Sequence, residues 1–305
     1  MNIDVTFDQS VSSLPAGFVS AVNGVVNYFD ILFTNPVTIN IDVGYGEIDG
    51  MPLAPNDLGA SYAPYVMESY SSVRQALQSE GAPGSSTLPS ASPLSGFLLM
   101  TQAEAQALGL TSAVSTSYVG FSSALPFSYT VDSTPASGEY YFIGVVAHEF
   151  TEDMGRVSFI DDQPLIYSVM DLFRYSAPGV RDQSAGGGGS IAYFSIDNGN
   201  TDLGSWNDNP RNGDLGDWNG NSIPNGGKDA FSDYSSSGVV NAISSTDLTL
   251  METLGWTETS NRSAILTLLV QHIAASFAPA IDGHVSPLIR DLAVIAEVNL
   301  AHPHA

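Results

Sequence analysis

Gly144-Val145-Val146-Ala147-His148-Glu149-Phe150-Thr151-Glu152-Asp153-Met154-Gly155-Arg156 runs from an apolar stretch into a histidine and three acids. His148 and Glu152 stand four apart, so on a helix they share one face, a turn from each other. Glu149 lies beside the first of them. This is the layout of the zinc-hydrolase helix H-E-x-x-H, with a carboxylate in the place of the second histidine. The pattern predicts a helix over about 138–155, closed by Gly155 where the chain turns. Its apolar residues Phe142, Val145, Val146 and Ala147 suit a buried central element. The next histidine is His272, so a metal site built here must combine one imidazole with oxygen ligands.

The chemistry explains the spacing. Two ligands one turn apart converge on an ion about 2 Å from each, and Glu152 supplies an oxygen at that distance. Glu149, next to the first ligand, is placed as the general base toward a metal-activated water. Exchanging a histidine for a carboxylate keeps the geometry but makes the ion a weaker Lewis acid and loosens the preference for zinc. A satisfied core histidine among solvent-facing glutamates would give the same letters.

Working outward, Phe18, Val22, Val25, Val26, Phe29, Leu32 and Phe33 form a helical stripe within 15–33, closed by Asn35-Pro36. Val37-Thr38-Ile39-Asn40-Ile41-Asp42-Val43 alternates strictly and reads as a strand. Residues 65–78 and 101–108 read as helices, 81–96 as a loop, and Tyr118-Val119-Gly120-Phe121 as a second strand, one that would suit a sheet edge accepting an extended substrate. Past the four-glycine run Gly186–Gly189, aspartates 197, 202, 208, 214, 217, 229 and 233 alternate with Asn and Gly, which predicts loops. Val239 to Leu254 returns to a helix. The expected organisation is an α+β domain over 1–256 with a mixed sheet, a central metal-binding helix and a loop-rich subdomain at 185–256, then a helical extension over 257–305.

Composition narrows the function classes. Eight basic residues against 32 acidic ones give a net charge of −24, which repels nucleic-acid backbones and anionic membranes. No cysteine is present, so disulfides and thiolate zinc sites are excluded. The apolar run from Ile265 is too short to span a bilayer, and the first residues carry no basic region followed by an apolar run. A secreted monomer acting on polypeptides is the expectation. Asp197-Asn198-Gly199-Asn200-Thr201-Asp202 and Asp214-Leu215-Gly216-Asp217-Trp218-Asn219-Gly220-Asn221 resemble calcium loops in composition, without the EF-hand's twelfth-position glutamate. Ordinary turns use the same residues.

Three blocks carry a family resemblance: His148 to Arg156, Met170-Asp171-Leu172-Phe173-Arg174-Tyr175-Ser176-Ala177-Pro178-Gly179-Val180-Arg181, and Asp247-Leu248-Thr249-Leu250-Met251-Glu252-Thr253-Leu254-Gly255-Trp256. Together with Ile39 to Gly46 they resemble a family of predicted bacterial metalloproteases related to the metzincins, over Val5 to Trp256. The resemblance implies a secreted zinc-dependent endopeptidase with a metzincin-like zincin fold, exported without a cleaved signal. Both downstream metzincin histidines are replaced, one by Glu152 and one by Ser158. The third ligand is therefore open: Asp171 is the first choice, beside Met170 in a stretch similar to the metzincin Met-turn. Tyr175 is the second, as ligand or as the phenol that stabilises an oxyanion, and Asp161 and Asp162 come third. Arg156 and Arg174 suit either the orientation of metal-bound carboxylates or ordinary ion pairs. Two rivals remain: a non-catalytic calcium-binding surface or matrix protein whose zincin helix is degenerate, and a metal-dependent hydrolase of a glycoside or ester.

Overall fold

The computed structural model describes residues 1–130, 134–160, 166–184, 192–209, 211, 213–221 and 228–260. Asp161, Asp162, the four-glycine run and the 261–305 part of the expected extension lie outside them.

The chain is a mixed α+β protein with open sheets and five α-helices among the described residues. Its main sheet holds three parallel strands, Asn2–Phe7, Thr38–Tyr45 and Thr116–Phe121, and one antiparallel strand, Gly59–Tyr62, at its edge. Alternation within Thr38–Tyr45 sends Ile39, Ile41 and Val43 into the core. The helix Phe18–Leu32 and the motif helix Phe142–Asp153 both pack in that core. Phe142 is its hub, with ring centroids 4.9 Å from both Phe18 and Phe121. Fully burying one such ring contributes on the order of 1.5–3 kcal/mol, so the motif helix is anchored by its first turn.

Three features hold the far end of that helix. Gly155 adopts φ +111°, a left-handed conformation in which a side chain would also meet the buried Glu104 carboxyl. Trp256 donates its indole N–H to the Met154 carbonyl at 2.8 Å. Residues 257–259 then run back along the end of the first helix, where Thr34 N–H bonds Thr257 O at 2.8 Å and Thr259 N–H bonds Leu32 O at 2.9 Å. A second small sheet joins Arg174–Ala177, Val180–Arg181, Tyr193–Phe194 and Gly204–Ser205.

Several expectations need correction. Residues 65–69 are a strand, paired with Phe97–Thr101, and the helix begins only at Tyr70. The Ser69 side chain caps it by accepting the Ser72 N–H. The last helix starts at Ser245 rather than 239, because Ser244 and Asp247 form a reciprocal capping box. Tyr118–Phe121 belongs to an interior strand: the strand that pairs outside it, Gly59–Tyr62, forms the edge. None of the described helices is long and apolar enough to cross a membrane.

Candidate metal centre

The motif helix presents His148, Glu149 and Glu152 toward the sheet edge and toward the loop-rich section. Glu149 is buried and lies directly over Gly59, where a Cβ would come within 2.5 Å of its Oε1. Two residues along the same edge strand, on the same face, Ser61 donates its hydroxyl to Glu152 Oε2 at 2.6 Å. The edge strand therefore contacts both glutamates of the motif. It went unnoticed in the sequence because Gly59-Ala60-Ser61-Tyr62 is short and carries little apolar alternation.

His148 is fixed on its other side. Its Nδ1 lies 2.8 Å from the Ala230 carbonyl, which can only accept, so Nδ1 carries the proton. Nε2 then faces Glu152 Oε1 at 3.2 Å and Asp217 Oδ1 at 3.5 Å. His148, Glu152 and Asp217 offer three ligand atoms within 4.8 Å of one another, a group that can hold a metal ion. The third member comes from the section read as calcium-loop-like. Asp171, the first choice from sequence, is not in the group. Its carboxylate accepts Ser168 N–H at 2.7 Å and Ser168 Oγ at 3.0 Å within its own turn, and Ser158 Oγ at 2.7 Å from just beyond the motif helix. Ser158, standing where a metzincin histidine would fall, is thus spent on tethering Asp171. Tyr175 is not in the group either: its ring lies under the Arg181 guanidinium, 5.0 Å from the centroid.

Asp217 is carried into place by packing. Gly216 presses on the backbone after the motif helix, where a Cβ would stand 3.2 Å from Ser158 N. Trp218 stacks on Trp206 with centroids 4.3 Å apart and donates its indole N–H to Asp247 at 2.6 Å. Arg174 braces the same loop by donating to the Leu215 and Asn207 carbonyls at 2.7 and 2.9 Å. The available signal in the sequence was the pair of large apolar residues, Leu215 and Trp218, that flank Gly216-Asp217 and mark a buried loop.

Arg156 is buried at 1% exposure and binds both carboxylates. Its Nη2 donates to Glu152 Oε1 at 3.2 Å, and its Nη1 makes a short bond to Asp217 Oδ1. Burial would raise Glu152, but His148 and Arg156 outweigh it and hold the carboxyl down to about 2. Burial and Arg156 oppose charging of His148, yet Asp217 and Glu152 prevail and lift it to about 10. Burial first, then Glu152, push Glu149 well above the usual carboxylate range. Asp214, exposed beside the group, is raised to about 7, chiefly by Glu152. Asp197, in the other calcium-like loop, accepts from Thr201 and Ser195, and these bonds hold it down to about 2.

A linkage follows from His148. Its folded pKa of about 10 lies above the ordinary 6.5, so in the metal-free chain its charge stabilises the fold fully below about pH 6.5 and ceases to as pH rises through about 10. A divalent ion must displace that proton, so affinity should rise about tenfold per pH unit if one proton is released. Zinc titrations at pH 6, 7 and 8 test this, and an affinity independent of pH would contradict it. Scans of the sequence against protein-family models, curated proteins and solved structures each returned no match.

Proposed function

We propose that the chain is a metal-dependent endopeptidase of metzincin-like type, in which His148, Glu152 and Asp217 hold a divalent ion, zinc in the first instance. The observation that carries this reading is that each of the three is oriented by a separate partner: Ala230 O for His148, Ser61 for Glu152, and Arg156 for Asp217. Metal ligands depend on such supporting contacts for orientation and tautomer. Zinc bound there supplies Lewis acidity to a water and to the substrate carbonyl.

The remaining roles belong to the chain. Glu149, buried one residue from His148, takes the proton of the attacking water and delivers it to the departing amine. Its raised pKa suits the acid half of that cycle, and a cation nearby favours the charged form needed for the base half. The outer side of Gly59–Tyr62 accepts a substrate as an added strand, beside Glu149 and Glu152. The high negative charge suits secretion into an environment where solubility matters.

A second reading has an observation of its own. With His148 charged, Arg156 and His148 balance Glu152 and Asp217, so the four groups also form a neutral buried ion network without any metal. Glu149→Gln separates the two. Casein cleavage should fall by roughly 10²–10⁴-fold, the contribution of a positioned general base, while the bound metal per chain stays unchanged. Absence of cleavage by the parent chain, with no metal bound, would favour the ion network.

A further inference from the structure

In the helix Ser245–Thr253, Asp247 is fully buried and completes the capping box. Its Oδ2 accepts the Ser244 N–H at 2.8 Å, and its own N–H donates to Ser244 Oγ at 3.2 Å. A cap needs only one carboxylate oxygen. The other, Oδ1, reaches away from the helix and accepts the Trp218 indole N–H at 2.6 Å. The same carboxyl hydrogen-bonds that of Asp229, which is also buried. Among the described residues no Lys or Arg pairs with either acid. Lys228, next to Asp229 in the chain, is exposed, and the arginine ion pairs go to Glu152, Asp217 and Asp182. Two carboxyls in contact away from water and without a cation are stable only when they hold one proton between them. Burial first, then the charge of Asp229, push Asp247 well above the usual carboxylate range, in keeping with that shared proton.

Both partners of Asp247 adjoin a support of the metal centre. Trp218 follows Asp217 in the chain, and Asp229 precedes Ala230, whose carbonyl orients His148 at 2.8 Å. A closed ring of hydrogen bonds joins the two. Trp218 N–H donates to Phe231 O at 2.8 Å, and Phe231 N–H donates to Asp229 Oδ1 at 2.8 Å. Asp229 bonds Asp247, and Asp247 returns to the Trp218 indole. The segment leading into the helix is itself seated on the motif helix. A Cβ on Gly144, one turn before His148, would collide with the Asn241 carbonyl, and Ala230 N–H bonds the Ala242 carbonyl at 3.0 Å. We propose that Asp247 is a positioning residue of the metal centre, setting Asp217 through Trp218 and His148 through Asp229 and Ala230. The inference rests on the reading of His148, Glu152 and Asp217 as metal ligands.

Zinc titration of the full chain tests this, beside proton NMR of the His148 Nδ1–H in the metal-free chain, with the resonance assigned by its loss in His148→Ala. Asp247→Asn sets an amide NH2 where an oxygen now accepts an N–H. It should weaken zinc binding by about tenfold or more, the scale of groups that orient a ligand from behind, and shift the His148 resonance. Trp218→Phe leaves the helix cap intact and cuts only its reach to the loop. It should weaken zinc binding several-fold, and it decides the matter if Asp247→Asn fails to fold. Asp229→Asn, whose amide supplies the hydrogen that the shared proton supplies, should keep zinc affinity close to the parent's. A parent chain that binds no zinc defeats the metal reading, while the His148 resonance in the two variants still shows whether Asp247 positions that ring. Parent-like zinc affinity in Asp247→Asn and Trp218→Phe, or an unmoved His148 resonance in both, would leave Asp247 a helix cap alone and overturn the proposal.

Discussion

Asp217→Asn is expected to lower metal affinity by more than about 100-fold and to abolish casein cleavage at stoichiometric metal. Even groups that merely orient a ligand are worth about 10–100-fold, and Asp217 is itself the third group beside His148 and Glu152. The contrast with Asp171→Asn makes the expectation specific. Asp171 receives three hydrogen bonds, two from Ser168 in its own turn, one of them a backbone N–H, and one from Ser158. Losing that anionic acceptor should cost stability, on the order of 1–3 kcal/mol, and leave metal affinity near its parent value. Metal titration and thermal unfolding of the two variants side by side distinguish them, and reversal of the pattern would reinstate Asp171.

The largest stability effect should come from Arg156→Leu. The guanidinium is buried against Glu152, Asp217 and the Phe231 ring, 4.5 Å from its centroid. Removing it strands two buried carboxylates, and breaking a buried pair in this way costs about 3–5 kcal/mol. For a chain of this size the midpoint should drop by roughly 10 °C. A bound divalent ion replaces part of the missing positive charge, so excess zinc should stabilise the variant more than the parent. A midpoint unchanged by the substitution would show that Arg156 is not the charge balancing this group.

The motif helix was legible because its evidence is local: apolar periodicity, a ligand pair four apart and a closing glycine. The helix Phe18–Leu32 and the strand Thr38–Tyr45 were legible for the same reason. What could not be read was the company the helix keeps. Ser61 and Asp217 approach it from far upstream and far downstream, and nothing in their immediate neighbours marks Ser61 as a partner of Glu152 or Asp217 as a partner of His148. Asp217 was hidden further by its setting, since Asp, Asn and Gly serve ordinary turns and metal loops alike. Asp171 misled for the opposite reason. Its proximity to the helix and to Met170 suggested a ligand, whereas a buried aspartate that caps its own turn produces the same sequence. Arg156 was the more informative residue, a lone cation directly after the motif, and it binds the carboxylates of Glu152 and Asp217 and the backbone carbonyl of His148.

The most direct measurement is the metal content of the chain, by plasma mass spectrometry after purification without chelator or nickel resin, beside His148→Ala. The expected result is about one zinc per parent chain and none in the variant. A parent chain that is folded and free of any transition metal, or a content unaffected by His148→Ala, would contradict the metal centre and leave His148, Glu152, Arg156 and Asp217 as a structural ion network.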